Sequence, residues 1–312
     1  MSSKKKIKIF LAGHKGMVGS AIKRSLIKNG YKNIIVKDRK SLDLTNQNLT
    51  YKFLKKIKPD FVILAAAKVG GIIFNSHFKH QFIYENNQIQ NNVIHGSYLA
   101  GTKNLFFLGS SCIYPKHCKQ PMKEEYLLSG ALEETNEAYS LAKIMGIKMC
   151  EYYSKFLNLN YKSLMPPNLY GPNDNFDLTN SHFYPALIKK IYLAKEYNKK
   201  SLNIWGTGKA KRELMFVDDF ADSVVFFMKK KIKEPFLNIG IGKDYSINWY
   251  ARMLMRFMNV KLKISYDTKK PDGMPRKCLD ISLAKKYGWR PKCNYQKGFE
   301  LTLQNFLENS KK

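Results

Sequence analysis

A short apolar segment, Lys8-Ile9-Phe10-Leu11-Ala12, leads through Gly13-His14-Lys15-Gly16-Met17-Val18-Gly19 into a helix-period pattern. No other feature constrains the fold as much. Val18, Ala21, Ile22 and Leu26 recur at helical spacing, and Asn29-Gly30 closes the pattern. Three glycines between a strand and a helix permit a tight turn, close approach of backbone to a pyrophosphate, and close helix–strand packing. The free N–H groups that open the helix then face the phosphates. In this strand–turn–helix setting the glycines imply a dinucleotide site. Gly13, His14, Lys15, Gly16, Met17, Val18 and Gly19 are therefore expected at the cofactor.

The pattern continues as alternation. Ile34-Ile35-Val36 reads as a second strand, 49–57 as a helix and Phe61-Val62-Ile63-Leu64-Ala65 as a third strand. A long helix is expected over 83–99 and a fourth strand at Leu105-Phe106-Phe107-Leu108-Gly109. Strands that are apolar throughout and alternate with helices imply a parallel sheet covered on both faces. The expected class is α/β: a doubly wound, Rossmann-like parallel sheet with a smaller α+β substrate-binding domain. After residue 170 the pattern loosens, with Gly, Pro and Asn frequent over 166–181. A helix is expected over 185–195, a strand at Leu202-Asn203-Ile204-Trp205, a helix over 218–228 and a sheet strand at Phe236-Leu237-Asn238-Ile239-Gly240. Residues 1–170 plus roughly 215–242 then form the cofactor domain. Residues from roughly 171–214 plus 243–312 form the substrate domain.

Composition excludes several classes. Lys+Arg number 54 against 24 Asp+Glu, a formal net charge of +30 in 312 residues. The lysines are scattered rather than gathered with aromatics on one face, so no nucleic-acid partner is expected. Their field favours anionic substrates. No uncharged apolar run approaches the roughly 18 residues of a membrane span, and the start lacks the apolar stretch of a signal peptide. The expectation is a cytoplasmic protein. Cys112, Cys118, Cys150, Cys278 and Cys293 are odd in number and contain no C-x-x-C pair, which suits neither zinc nor a disulfide framework. His77 and His80 share a helical turn without a partner ligand, so no metal is expected.

Two local patterns carry chemistry. The second strand ends at Lys37-Asp38-Arg39. An acidic residue there serves the ribose of NAD, and a cation serves the extra phosphate of NADP. Asp38 and Arg39 thus argue in opposite directions; Lys15 adds a second cation, and NADP is the expected cofactor. In Tyr139-Ser140-Leu141-Ala142-Lys143 a spacing of four puts phenol and amine on one helix face. Bringing a tyrosine from pKa ~10 to neutrality costs about 4 kcal/mol. A lysine cation at ~4 Å supplies up to about 4 kcal/mol at an effective dielectric of ~20. Tyr139 is thus expected to exchange a proton with a substrate oxygen. Ser110-Ser111 follow the fourth strand and add a hydroxyl.

The glycine turn, that hydroxyl and Tyr-x-x-x-Lys resemble the extended short-chain dehydrogenase/reductase superfamily. More narrowly, several segments resemble the GDP-L-fucose synthase family: Ala65-Ala66-Ala67-Lys68-Val69-Gly70-Gly71, Gly109-Ser110-Ser111-Cys112-Ile113-Tyr114-Pro115 and Asn168-Leu169-Tyr170-Gly171-Pro172. Asn180-Ser181-His182, Trp205-Gly206-Thr207-Gly208, Arg212-Glu213 and Lys270-Pro271-Asp272-Gly273 join them, and the likeness runs from about residue 7 to about residue 307.

The resemblance implies conversion of GDP-4-dehydro-6-deoxy-D-mannose to GDP-L-fucose, by epimerisation at carbons 3 and 5 and then NADPH-dependent reduction at carbon 4. Ser110 and Tyr139 would bond the carbon 4 oxygen, Tyr139 giving the proton and Lys143 tuning it. Cys112 would remove protons beside the ketone and His182 would return them. That division is chemically reasonable, because an enolate needs a stabilised oxygen and inversion needs groups on both faces of the ring. The related dehydratases carry an acidic pair where this chain has Ser111-Cys112. Arg212 would take the diphosphate, with Lys190, Trp205 and Asp272 as further substrate contacts; Lys190 stands where the family carries arginine. Arg39, Asp43, Leu44, Ala66, Leu108, Gly109, Ser110, Ser111, Lys143, Pro166, Pro167, Asn168, Leu169 and His182 would line the cofactor. Pro167 replaces a more usual threonine and so lacks a hydroxyl and an N–H. A homodimer through the long helix and the Tyr139 helix is also implied, with Ile144, Ile147 and Met149 as its apolar positions.

Overall fold

The computed structural model describes residues 6–292 and 294–310. The basic start, Met1 to Lys5, and Cys293 lie outside the described residues. The first half alternates as its sequence dictates: β1 (Ile9–Ala12), α1 (Met17–Lys28), β2 (Ile34–Ile35), α2 (Gln47–Ile57), β3 (Phe61–Leu64), α3 (Ile72–His77), α4 (Lys79–Leu99), β4 (Asn104–Leu108), α5 (Glu137–Leu157), β5 (Asn160–Met165) and β6 (Asn168–Tyr170). Then come α6 (Phe183–Glu196), β7 (Ser201–Trp205), β8 (Lys211–Arg212), β9 (Leu214–Phe216), α7 (Val217–Phe227) and β10 (Phe236–Asn238). The chain ends with β11 (Tyr245–Ser246), α8 (Ile247–Phe257), β12 (Lys263–Asp267), β13 (Arg276–Lys277), α9 (Ser282–Lys286) and α10 (Tyr295–Ser310).

Six parallel strands form the main sheet in the order β10-β5-β4-β3-β1-β2. Alternate side chains feed two cores, as a strand's period of two requires. Ile9, Leu11, Ile63, Phe106 and Leu108 pack with α1 and α7. Phe10, Val62, Leu64, Leu105 and Phe107 pack with α2, α4 and α5. A third cluster lies apart, where Tyr184, Leu187 and Ile188 of α6 meet Tyr250 and Leu254 of α8 and Phe299 of α10. Ala284 and Trp289, late in the chain, pack back into the first core.

Three expectations are corrected. The long helix begins at Lys79, and the short α3 precedes it. Its inner face carries Asn86, Gln90 and Asn92, all buried, so apolar periodicity could not mark its start. The strand at Phe236 stops at Asn238: the Ile239 N–H still donates to the Met165 carbonyl of β5, but the Ile241 and Gly242 N–H groups turn to the Glu213 carboxylate. Ile144 and Ile147 are core residues and Met149 packs against them, so they do not form an outer apolar face. The exposed large apolar residues of those helices are Tyr84, Tyr98 and Leu99 on α4 and Leu141, Tyr152, Phe156 and Leu157 on α5. Among the described residues no helix is long and apolar enough to cross a membrane.

Candidate active site

The sheet order reverses between β1 and β3, and a crevice outside strand ends at such a point is where ligands bind in this architecture. The glycine turn fills that place. Gly13 has φ +90°, and a Cβ there would lie 2.6 Å from the Ala66 nitrogen. A Cβ on Gly19 would overlap the Gly13 carbonyl oxygen. These glycines are required by backbone contact. Gly16 precedes α1 without a side-chain cap, and Met17, Val18 and the rest of the first turn carry no acid. His14 Nδ1 is buried without a hydrogen-bond partner among the described residues. A bare helix end, closely approached backbone and an orphaned polar atom fit a dinucleotide pyrophosphate.

Beside the turn, Lys15 Nζ lies 3.1 Å from Asp38 Oδ2. Ser41 donates to Asp38 Oδ1 through both its N–H, at 2.9 Å, and its hydroxyl. Ser41 first, and then Lys15, hold the Asp38 carboxyl well below its usual range. Asp38 is thus already engaged by protein donors. Arg39 is exposed, 3.8 Å from Asp43 and 3.6 Å from Glu85. Asp43 accepts from the Thr45 N–H and hydroxyl, and the Leu44 carbonyl accepts from Asn92.

At the end of β4, Leu108 and Gly109 bring Ser110 to the head of a single 3₁₀ turn, where its Oγ accepts the Cys112 N–H at 3.4 Å. Ser111 N–H donates to the Pro166 carbonyl at 3.0 Å, which ties the end of β4 to the residue before Pro167. Asn168 and Leu169 continue into β6, which pairs with β9. Lys143 is 4% exposed. Its ammonium donates to the Leu108 carbonyl at 2.8 Å and sits 5.6 Å from the Tyr139 ring centroid. Burial lowers Lys143 to about 8.

The expected lowering of Tyr139 by Lys143 is not what this structure holds. Burial raises the phenol, and neighbouring Cys112 pushes the same way. The amine is spent on a carbonyl and faces the ring, so desolvation wins. Cys112 is buried and close enough to interact electrostatically with Tyr139, Lys143 and Lys277. His182 stands exposed at the N-cap position of α6, and its side chain makes no capping hydrogen bond. Desolvation, then Lys277, lowers its pKa. Gly71 N–H donates to Asn180 at 3.0 Å, which ties the loop after Ala66 to the loop carrying His182.

On the far side Arg212 is 8% exposed and donates to the Lys211 and Asp272 carbonyls, each at 2.8 Å. Burial lowers it to about 10, which leaves it a cation. Both Asp272 carboxylate oxygens accept from Thr207, at 2.8 and 2.7 Å, so this side chain braces the turn after Trp205. Lys190 and Lys270 lie 5.2 and 5.5 Å from the Trp205 ring. Trp205, Phe74, Phe78, Leu178 and Asn180 line an apolar cavity of about 410 Å³. Among the described residues no cluster of His, Cys, Asp or Glu could hold a metal ion. Two residues escaped the sequence reading. Lys277 sits on a two-residue strand outside any quoted motif, and Glu213 was noted only as Arg212's neighbour.

The model of the NAD dependent epimerase/dehydratase family matches residues 9–240. The chain is 48% identical over 302 residues to a GDP-L-fucose synthase from Sinorhizobium fredii, covering 97% of this chain and 96% of that one. It is similar to the Campylobacter jejuni GDP-D-glycero-L-gluco-heptose synthase crystallised in the presence of NADPH, with TM-score 0.89, 36% identity, and 99% and 100% of the two chains covered. A Naegleria fowleri GDP-L-fucose synthetase bound to NADP gives TM-score 0.89 at 26% identity, with 100% of this chain and 97% of that chain covered.

Proposed function

The chain belongs to the NAD dependent epimerase/dehydratase family, and within it we propose an NADPH-dependent epimerase-reductase that makes GDP-L-fucose from GDP-4-dehydro-6-deoxy-D-mannose. What supports this reading is proximity: Lys143 faces the Tyr139 ring, Cys112 lies within electrostatic reach of Tyr139, Lys143 and Lys277, and Lys277 within reach of His182. Cys112 removes the protons at carbons 3 and 5, with Lys143 and Lys277 as its cationic neighbours. Ser110 and Tyr139 donate to the enolate oxygen. His182, with its lowered proton affinity, gives protons back on the opposite face. NADPH would supply, when bound, the hydride (two electrons and one hydrogen) that carbon 4 of the ketone takes up. Tyr139, kept protonated by burial, transfers its proton to the oxygen at that carbon.

In this reading residues 1–170 and roughly 215–242 hold the cofactor, and roughly 171–214 with 243–312 hold the GDP-sugar. The glycine turn takes the pyrophosphate, and Lys15 and Arg39 take the extra phosphate. Arg212 takes the substrate diphosphate, with Lys190, Trp205 and the 410 Å³ cavity beside it. A homodimer covers the apolar α4–α5 face at Tyr84, Tyr98, Tyr152 and Phe156. Four described cysteines, all free, suit work in the cytoplasm.

Incubation with GDP-4-dehydro-6-deoxy-D-mannose and NADPH, followed by product stereochemistry, tests the reading. GDP-L-fucose is expected; a 4-reduced sugar with carbons 3 and 5 unchanged refutes the epimerase half. The likeness to a heptose synthase supports a second reading, a reductase of another GDP-sugar. Faster turnover of a seven-carbon substrate would favour it.

A further inference from the structure

Glu213 follows Arg212 and turns inward, 1% exposed. Its carboxylate accepts three backbone N–H groups. Ile241 and Gly242 bond one oxygen at 2.5 and 2.8 Å, and Leu279 bonds the other at 2.7 Å. Its own N–H donates to the Lys277 carbonyl at 3.0 Å. The first two donors follow β10, the edge strand of the main sheet, and the third follows β13. One carboxylate therefore fastens the strands bearing Arg212 and Lys277 to the cofactor-side sheet. The fit is close, since a Cβ on Gly240 would overlap Glu213 Oε1. The segment after Cys112 reaches the same strand end. Glu124 accepts the Asn238 N–H at 2.8 Å, and Met122 accepts from Asn238 at 2.9 Å while bonding Cys278 and Asp280.

We propose that Glu213 is a positioning residue for GDP-sugar binding: it holds β8 and β13 so that Arg212 faces the diphosphate at a fixed distance from Cys112 and Tyr139. Glu213 touches no substrate. The inference rests on the reading of Arg212 as a diphosphate contact. Glutamine at 213 turns one acceptor into a donor facing backbone N–H groups, so at least one of the three bonds is lost. Shifting β8 slackens Arg212, whose grip depends on the Lys211 and Asp272 carbonyls.

Calorimetric titrations with GDP and with NADPH, run on wild type, Glu213→Gln, Arg212→Ala and the double variant, test this. Glu213→Gln should weaken GDP at least tenfold and leave NADPH within twofold. The double variant should bind GDP no more weakly than Arg212→Ala alone, a coupling that general destabilisation would not produce. Gly240→Ala, which crowds the same carboxylate from the sheet side, should give the same GDP-selective loss and keeps the test decisive should Glu213→Gln fail to fold. Unchanged GDP affinity in both Glu213→Gln and Gly240→Ala overturns the inference alone, as do additive losses. GDP binding that ignores Arg212→Ala overturns the diphosphate reading beneath it.

Discussion

The two ends of the proposed site are built on different principles. The cofactor end is made of close backbone: Gly13 against Ala66, Gly19 against Gly13, and an uncapped helix start. Its carboxylate Asp38 is half-buried and held low by Ser41 and Lys15. The substrate end is made of long side chains anchored by carbonyls and buried acids. There burial lifts Glu213 to about 7, and Glu124, under the edge of the same sheet, also to about 7. Backbone proximity tolerates no side chain, whereas side-chain anchoring tolerates exchange at a cost in alignment. In the reading proposed above, the first end fixes which ligand class binds and the second tunes which sugar follows.

Five experiments sharpen or break that contrast, from largest effect to smallest. Where the ends meet, Cys112→Ser should slow isotope exchange at carbons 3 and 5 by roughly 10²- to 10⁴-fold while leaving NADPH affinity unchanged. Undiminished exchange removes Cys112 from the chemistry. At the backbone-built end, Gly19→Ala should weaken NADPH about 100-fold, since relieving such an overlap costs about 2–3 kcal/mol. Its GDP affinity, followed by fluorescence titration, should hold.

At the side-chain-built end, Arg212→Ala should weaken GDP about 10- to 100-fold through loss of charged hydrogen bonds, with NADPH spared. Equal loss of both ligands would erase the distinction between the ends. The lifted acids give a pH signature. Glu213 and Glu124 stand near 7 against an ordinary 4.5, so the folded chain keeps protons that the unfolded chain has released. Stability should fall as pH rises from 4.5 to 7 and level off above. Glu124→Gln should flatten that slope by up to about 1.4 kcal/mol per pH unit in urea unfolding. A slope unchanged by the substitution disproves the lifted acid. Smallest is Lys15→Ala, an exposed ion pair worth about 1 kcal/mol. It should narrow the NADPH-over-NADH preference about fivefold in competing titrations, and an unchanged ratio leaves that preference to Arg39.

Legibility follows the same divide. The glycine turn, the apolar strands and the Tyr139–Lys143 spacing are local patterns, and each stands in the structure as a local element. The start of α4 was hidden because Asn86, Gln90 and Asn92 face inward and bond the Lys68, Ala142, Leu44 and Thr45 carbonyls, contacts made far along the chain. Lys277 and Glu213 acquire meaning only when β8, β13 and β10 converge, which no window of sequence contains. The direction of the Tyr139 shift is not legible in sequence, because spacing gives proximity of the amine but not that the Leu108 carbonyl claims it.

The overlap between a Cβ at 240 and Glu213 Oε1 has a consequence for mutational history. While glutamate occupies 213, any larger residue at 240 meets an immediate clash. A side chain at 240 is accommodated only as the Glu213 carboxylate leaves the Ile241 and Gly242 N–H groups or as 213 shortens. The two codons are thus coupled in their changes, and a library that randomises them singly would miss functional pairs lying beyond that barrier.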